Sequence, residues 1–279
     1  RGDGATADGR YVAGAVPGDI LHADGRLEAG PNRAEPPCRH FGKCGGCQLQ
    51  HVAEPAFAEF VRDRVVGALA GQDVPFGEVR PAIISPQASR RRAALTALRI
   101  GKQVSIGFNA EKTNHIVDMK MCPLLAPELF ALVGPLRKLL EKIAQQRSPV
   151  KVKMQLVDQG VELLLENVRA SGLDAALELQ DFAADHKLAR FILDQGDGAE
   201  TIWQPEPPSV NFGGITVEVP AFSFLQATAS GEAALIAAVR EIVGDAPTVA
   251  DLFAGVGTFA LSLAEGRKVY AAEGARDAI

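Results

Sequence analysis

The chain has 279 residues, of which 47% are hydrophobic and 23% charged, a composition typical of globular proteins with room for two or three small domains. Its formal net charge of −5 disfavours a protein that coats nucleic acid over its whole surface, although local patches stay open. No apolar run approaches the roughly 18 residues of a membrane span, and nothing resembles a signal peptide. We therefore expect a cytoplasmic, monomeric protein with no membrane partner.

Residues 1–30 are rich in Gly and Asp and alternate them with short apolar stretches, which predicts short strands joined by tight turns. The segment starts without a methionine and has too little apolar content for a core. We expect it to be the end of a small β-barrel whose beginning is missing. The prolines of residues 31–37 predict a linker, because proline fixes φ and removes a hydrogen-bond donor.

Three of the four cysteines lie close together after this linker. Cys38, Cys44 and Cys47 have the spacing C-x5-C-x2-C, with Gly45 and Gly46 between the last two, and Cys122 is far along the chain. Four thiolates in this arrangement indicate a metal or iron–sulfur site, and a fourth cysteine that closes the coordination disfavours a radical enzyme. Zinc also accepts four thiolates. Two disulfides are a further alternative, which the chain length and the lack of a signal peptide disfavour.

The next segments carry a helical period and then a basic strand. Apolar residues over 55–70 recur at helical spacing, which predicts a helix with one buried face. Residues 91–122 predict a β-meander that brings Cys122 to the other cysteines. Residues 85–122 contain seven Lys or Arg and two acidic residues, which gives a local charge of +5. A nucleic-acid contact and a solvated strand edge are both compatible with such a patch.

The basic segment includes a run of three arginines at the start of its first strand, namely Arg90, Arg91 and Arg92. In a strand, alternation would place Arg90 and Arg92 on one side and Arg91 on the other. At most two of the three can then share one surface.

Periodicity and turn residues predict the later elements. They are a helix over 127–146 kinked at Pro135, a hairpin over 151–157 and 160–166, a strand over 209–219, a helix over 231–243, a buried strand over 248–253, a helix over 258–265 and a strand over 268–272. The acidic stretch 174–200 indicates mainly a solvated face, and the prolines of 205–208 a domain boundary. The last three elements form a β-α-β unit.

A glycine turn lies between the first strand and the helix of this unit. Gly255 and Gly257 would let a ligand approach the backbone, and Glu273, at the end of the next strand, would accept both hydroxyls of a ribose. The third glycine of the dinucleotide fingerprint is absent. Asp251 before the turn and the nearby acid favour S-adenosylmethionine over a dinucleotide. A turn without any ligand is the remaining alternative.

These motifs occur in an order that resembles one enzyme family, the cluster-containing RNA uracil-5 methyltransferases, which make 5-methyluridine in ribosomal and transfer RNA. The likeness is greatest to members that act on large-subunit ribosomal RNA and covers nearly the whole chain. The matching segments are Pro37-Cys38, Gly45-Gly46-Cys47-Gln-Leu-Gln-His51, Ser85-Pro86, Arg90-Arg91-Arg92, Gly107-Phe108, Ile116-Val117-Asp118, Cys122-Pro123, Ser223-Phe-Leu-Gln226 and Asp251-Leu-Phe-Ala-Gly-Val-Gly-Thr-Phe259.

The resemblance implies a fold class of α/β plus α+β in three parts. Residues 1–33 would be the remnant of an N-terminal OB-like TRAM barrel that binds RNA. Residues 34–204 would form a mixed, β-rich iron–sulfur central domain, and residues 205–279 would begin a Rossmann-like S-adenosylmethionine methyltransferase domain that is incomplete.

The resemblance also implies the site residues and partners. A [4Fe-4S] cluster would be ligated by Cys38, Cys44, Cys47 and Cys122. S-adenosylmethionine would be bound by Gln226, Phe253, Gly255, Gly257, Thr258 and Glu273, with Glu273 on the ribose. RNA, most closely 23S ribosomal RNA, would be bound by Arg90, Arg91 and Arg92. Two departures from the family are Ser89, where an aromatic is common, and Thr228, where Asn is common.

In the family mechanism a cysteine thiolate adds to carbon 6 of uracil, carbon 5 then takes the methyl group, and a general base removes its proton. The cluster would use all four cysteines of the chain. We therefore expect the nucleophile and the base to lie beyond residue 279 and the chain alone to be inactive. A non-catalytic RNA-binding module and a zinc-stabilised methyltransferase with a non-RNA substrate are the competing hypotheses.

Overall fold

The computed structural model describes residues 2–276, and the chain divides into two compact units. The first runs from the N-terminus to Ile84 and includes Ala110–Asn114. The second comprises Ser85–Asn109 and the chain from His115 onward. The predicted boundary at residue 33 does not coincide with a border of these units, and the division into three domains stays a prediction.

The first unit holds short strands and one long helix. β1 (Asp3–Ala5) pairs antiparallel with β2 (Tyr11–Ala13), and β3 (Ile20–Leu21) with β4 (Leu27–Glu28), which confirms the predicted short strands. α1 (Glu54–Ala70) confirms the predicted helix, but the predicted buried face is wrong, because no residue of α1 is buried. Helical spacing shows where an apolar stripe lies but does not specify what covers it.

The second unit is built on a six-stranded sheet. Its strands are β5 (Arg92–Ile100), β6 (Gln103–Gly107), β7 (Val150–Val157), β8 (Gly160–Glu166), β9 (Arg190–Asp194) and β10 (Ala199–Trp203). Their order is β10-β9-β8-β7-β5-β6, and neighbours are antiparallel except β8 and β9. The predicted hairpin is confirmed by β7 and β8. The start of the predicted meander is confirmed by β5 and β6, and Met119 N–H extends it by donating to Ile106 O at 2.8 Å.

Three helices pack against this sheet: α2 (Pro127–Ala131), α3 (Val133–Ile143) and α4 (Leu173–Asp185). The predicted kinked helix is divided at Leu132, because Pro135 has no N–H to donate to the carbonyl four residues earlier. The main core lies between helices and sheet, and its fully buried members include Leu95, Ile106, Leu129, Leu136, Leu140, Val152, Leu163 and Phe191. Burying each such side chain contributes about 1.5–3 kcal/mol.

The acidic stretch 174–200 is mainly exposed, as the sequence predicted, and its Asp and Glu residues are all exposed or half-buried, but the stretch also contributes apolar residues to the core. α4 buries Leu179 and Phe182, and four of the five residues of β9 are buried. The parallel pairing of β8 and β9 requires a crossover, which α4 supplies, so its apolar face must return to the sheet.

The C-terminal elements are β11 (Ser209–Phe212), β12 (Ile215–Glu218), α5 (Ala229–Val243), β13 (Thr248–Leu252), α6 (Thr258–Leu263) and β14 (Lys268–Ala272). The single strand predicted over 209–219 is a hairpin, because Gly213 and Gly214, both at positive φ, form a tight turn. β13 and β14 pair in parallel, which confirms the β-α-β unit. The burial predicted for the first of these strands is wrong, since Leu252 is 66% exposed.

A second apolar cluster connects this region to the sheet. It consists of Val157, Ala189, Val210, Phe212, Val219, Leu225 and Val256. None of the helices described is long and apolar enough to span a lipid bilayer.

Candidate functional site

The glycine loop, residues 253–257, links β13 to α6. Gly255 (φ 57°) and Gly257 (φ 92°) have the positive φ that glycine adopts without steric cost. A Cβ on Gly257 would lie 2.8 Å from Leu261 Cδ1. Phe253 also has a positive φ of 64° and is 91% exposed. A bulky residue in this conformation costs about 1–3 kcal/mol, and such strain concentrates at ligand sites.

Glu273 follows β14 directly and contacts the glycine loop. Its Oε2 accepts a hydrogen bond from Gly255 N–H at 2.8 Å, and its Oε1 accepts from Gly274 and Ala275 N–H at 2.7 and 2.8 Å. These bonds, that from Ala275 first, lower the pKa of Glu273, because they favour the ionised carboxyl. The structure therefore places an ionised carboxylate with spare acceptor capacity at the carboxyl edge of two parallel strands, where α/β sheets bind ligands.

Asp251 lies within β13, just before the glycine loop, and bonds to the helix that follows the loop. Its Oδ2 accepts a hydrogen bond from Ala260 N–H at 2.9 Å, in the first turn of α6. A carboxylate there satisfies a donor that has no partner inside the helix and interacts favourably with the helix dipole. Asp251 therefore fixes α6 relative to β13, a role that differs from direct ligand binding.

Gln226 lies in the irregular segment between β12 and α5. Its neighbour Leu225 is fully buried and belongs to the same apolar cluster as Val256 of the glycine loop. The segment of Gln226 and the glycine loop are therefore distant in sequence but contribute residues to the same apolar cluster. Thr228, the residue that departs from the family, caps α5: its Oγ1 accepts from Gly231 N–H at 3.0 Å and lies 2.7 Å from Ser85 Oγ.

The three arginines differ in their surroundings. Arg90 is exposed, and its Nε donates to Arg92 O at 3.1 Å. Arg91 and Arg92 are partly buried, and both reach the segment of Gln226. β5 begins at Arg92, and Arg90 before it forms isolated β-bridges to Leu125 and Thr228; the predicted alternation of sides stays a prediction.

The predicted cluster ligands are half-buried, and none of the four cysteines forms a disulfide. In the first unit, Cys38 O accepts from Phe41 N–H at 2.9 Å, and Cys44 N–H donates to His40 O at 2.9 Å. In the second unit, Cys122 packs against the main core. Across residues 2–276, no group of three or more His, Cys, Asp or Glu side chains is arranged to hold a single metal ion.

Cys44 and Cys47 line a cavity of about 600 Å³ in the first unit, together with Arg33, Phe41 and His51. His51 is 5% exposed, and neither of its ring nitrogens has a hydrogen-bond partner in the described part of the chain. Burial, assisted by the Arg33 charge, lowers the pKa of His51. Its ring centre lies 5.3 Å from that of Phe41. A buried polar ring without a partner beside two thiols is consistent with a bound group in this cavity.

Comparison with family models gives no match. The chain is 44% identical over 279 residues to an uncharacterized RNA methyltransferase of Zymomonas mobilis, covering 100% of the chain and 70% of that relative. It is 29% identical over 271 residues to the 23S rRNA (uracil(1939)-C(5))-methyltransferase of Thiobacillus denitrificans, covering 91% of the chain and 61% of that enzyme.

Among solved structures, the chain resembles the tRNA (uracil-54, C5)-methyltransferase of Pyrococcus abyssi in complex with S-adenosyl-L-homocysteine. The TM-score is 0.69 at 20% identity, over 99% of the chain and 65% of that enzyme. This likeness shows the fold: a mixed α/β architecture around a central sheet, as the sequence predicted. With the identity found across its whole length to the Zymomonas relative, the chain belongs to the RNA methyltransferase family.

Proposed function

We propose that the chain serves S-adenosylmethionine-dependent methylation of carbon 5 of a uridine in RNA, with 23S ribosomal RNA as the substrate. The observation that carries the proposal is the bond between the Glu273 carboxylate and Gly255 N–H at the edge of the β13–β14 pair. The Thiobacillus relative is named for uracil C5 methylation of 23S rRNA, and the Pyrococcus neighbour was solved with S-adenosylhomocysteine, which agrees with both parts of the proposal.

The residues of the glycine loop suit this cofactor. Nothing lies within 4 Å of the Cβ position of Gly255, so a nucleoside has room to approach the backbone there. In the proposal, Glu273 accepts the ribose hydroxyls, Phe253 covers the adenine with its exposed ring, and Gln226 and Thr258 contribute further polar contacts. Gly257 allows the sharp turn into α6.

When bound, S-adenosylmethionine supplies an electrophilic methyl group. The chain's own residues would bind and orient it. The covalent route also needs a thiolate that adds to carbon 6 of uracil. Because the proposal assigns all four cysteines of the chain to the cluster, it provides no such thiolate, and these 279 residues alone should not turn over. Cofactor binding is therefore the appropriate measurement.

Replacing Glu273 with glutamine should weaken S-adenosylhomocysteine binding about tenfold, because hydrogen bonds to a charged acceptor exceed those to a neutral one. Isothermal titration calorimetry of the purified chain measures this directly. The matched control is Glu265→Gln, the same change at an exposed carboxyl just after α6, which should bind like the wild type. Failure of the wild-type chain to bind S-adenosylhomocysteine would reject the proposed cofactor, and equal affinity in both variants would reject the role of Glu273.

Within the predicted arginine run, RNA contact is proposed for Arg90, because its side chain is exposed, whereas the Arg91 and Arg92 side chains donate to carbonyls of the segment around Gln226. If Arg90 contacts a phosphate, the affinity for RNA should fall as salt rises, and Arg90→Met should make the slope of log affinity against log salt shallower by about 0.7–0.9. Fluorescence anisotropy with a uridine-containing RNA measures the slope. Lys142→Met removes an exposed charge from α3 and should leave it unchanged. A salt-independent affinity would argue against the whole patch.

The proposed cofactors also include a [4Fe-4S] cluster ligated by Cys38, Cys44, Cys47 and Cys122. The cavity beside Cys44 and Cys47 and the unpartnered ring of His51 support a bound group there. The absence of a single-ion site among the described residues is compatible with a cluster, since each thiolate then binds a different iron atom. An OB-like, RNA-binding TRAM segment at residues 1–33, a cluster domain at 34–204 and a methyltransferase segment at 205–279 belong to the same proposal.

A further inference from the structure

The segment 219–228, between β12 and α5, has no regular secondary structure, yet parts of it are buried. Its backbone carbonyls therefore need partners from elsewhere. They receive them from side chains of the six-stranded sheet: Gln155 Nε2 donates to Ser223 O at 3.0 Å, and Arg190 Nη2 donates to Val219 O at 3.1 Å. Within the segment, Ser223 N–H donates to Pro220 O at 3.1 Å, and the bonds from Gln155 and Arg190 attach the segment to the sheet.

The tightest support surrounds Gln226, where three consecutive carbonyls accept hydrogen bonds from two arginines. Arg92 Nη1 donates to Leu225 O at 2.7 Å, Arg91 Nε to Gln226 O at 2.9 Å, and Arg91 N–H to Ala227 O at 2.9 Å. The backbone on both sides of Gln226 is therefore fixed by neighbouring residues at the start of β5.

Each guanidinium is itself held in place. Arg91 Nη2 lies 2.5 Å from Glu232 Oε2 in the first turn of α5, and the two side chains are only 13% and 10% exposed. The Arg92 guanidinium lies 4.8 Å from the centre of the Phe224 ring, within the range of a cation–π interaction. Solvent screens the Arg91–Glu232 pair weakly, because both side chains are largely buried.

We propose that Arg91 and Arg92 are positioning residues for the cofactor: they hold residues 224–227 so that Gln226 is presented to the ligand of the glycine loop. This inference rests on the proposed cofactor function. Leu225, bonded by Arg92, shares its apolar cluster with Val256, so a shift of the segment is transmitted to the loop. Arg91 and Arg92 thereby affect cofactor affinity without touching the cofactor, and their role is separate from the RNA contact of Arg90.

The guanidinium is required because Arg91 bonds a carbonyl and a carboxylate at the same time through different nitrogens. A lysine has a single nitrogen at a different reach and cannot reproduce both bonds in this geometry. Arg91→Lys keeps a positive charge opposite Glu232 but removes the planar guanidinium group. It therefore tests the positioning of residues 224–227 without leaving the Glu232 carboxylate unpaired.

The test compares Arg91→Lys and Arg92→Lys with the wild-type chain in three measurements: calorimetric affinity for S-adenosylhomocysteine, anisotropy affinity for RNA at fixed salt, and amide hydrogen exchange. Each variant should bind S-adenosylhomocysteine about tenfold more weakly, as expected for the loss of one charge-assisted hydrogen bond. RNA affinity should stay at the wild-type value. Exchange at the amides of residues 224–228 should quicken in the free protein, while the amides of β7 and β8 keep their protection.

Lys142→Met is the control, and it should match the wild type in all three measurements. Wild-type affinity for S-adenosylhomocysteine in both lysine variants would overturn the inference, as would a loss of RNA affinity with cofactor binding intact. Faster exchange throughout the sheet would indicate general destabilisation and also overturn it. A wild-type chain that does not bind S-adenosylhomocysteine refutes the proposed function instead, so the two failures are distinguishable.

Discussion

Arg190→Met should lower the free energy of unfolding by about 3–5 kcal/mol, because it leaves a buried carboxylate without its partner. Glu162 is completely buried, and its Oε1 accepts from Arg190 Nη1 at 2.7 Å. Arg190 also donates through Nε to Gln204 Oε1 at 2.8 Å. Urea denaturation followed by circular dichroism measures the loss.

Two comparisons separate the unpaired charge from lost packing. Lys142→Met breaks an ion pair with Glu178 whose lysine side chain is 61% exposed, and such a pair should contribute less than about 1 kcal/mol. The double variant Arg190→Met/Glu162→Gln removes the orphaned charge and should recover most of the stability that the single variant loses. A double variant as unstable as Arg190→Met alone would assign the effect to packing.

The pair of Glu162 and Arg190 also predicts that the stability of the Arg190→Met variant depends on pH. Burial raises the pKa of Glu162 above its ordinary value of 4.5, and the Arg190 charge opposes this shift. Without Arg190, the folded-state pKa rises further above that of the unfolded chain. A carboxyl group whose pKa is higher in the folded than in the unfolded state contributes its full stabilisation to the folded protein at pH values below the unfolded-state pKa. This contribution is lost as the pH rises through the folded-state pKa. The variant should therefore be closest to the wild type below about pH 4 and fall behind it as pH increases.

The β-α-β unit and its glycine loop were predictable from sequence because the features that define them are local. Short apolar stretches mark β13 and β14, and glycines mark the turn that requires positive φ. The position of Glu273 beside the loop followed from topology, since carboxyl ends of neighbouring parallel strands meet at one edge of the sheet. The bond from Gly255 N–H to Glu273 agrees with that placement.

The partners of Arg91 and Arg190 could not be predicted in the same way. Arg91 and Glu232 are 141 positions apart, and Glu162 and Arg190 are joined by the parallel pairing of β8 with β9. Neither of these two residue pairs produces a periodic pattern in the sequence. The arginine run was therefore assigned to RNA as a unit, although the structure gives Arg91 and Arg92 partners within the protein.

The cysteine spacing is equally local in sequence, but it does not identify what the thiolates bind. Measuring the metal and sulfide content of cysteine variants should therefore show a second large effect. Anaerobically purified wild-type chain should contain about four irons and four acid-labile sulfides, and Cys47→Ser should lose both, because a cluster needs its thiolate ligands. Inductively coupled plasma analysis and sulfide assay measure the two contents, and loss of absorbance near the visible charge-transfer bands provides an optical check.

Cys122→Ser separates the possible ligand sets. The family resemblance implies four ligands, so this variant should also lose iron and sulfide, whereas full retention of both would confine the site to Cys38, Cys44 and Cys47. Stoichiometric zinc without sulfide in the wild type would replace the cluster with a zinc site, which also accepts four thiolates. Absence of iron, sulfide and zinc together would refute both the cluster and the zinc site.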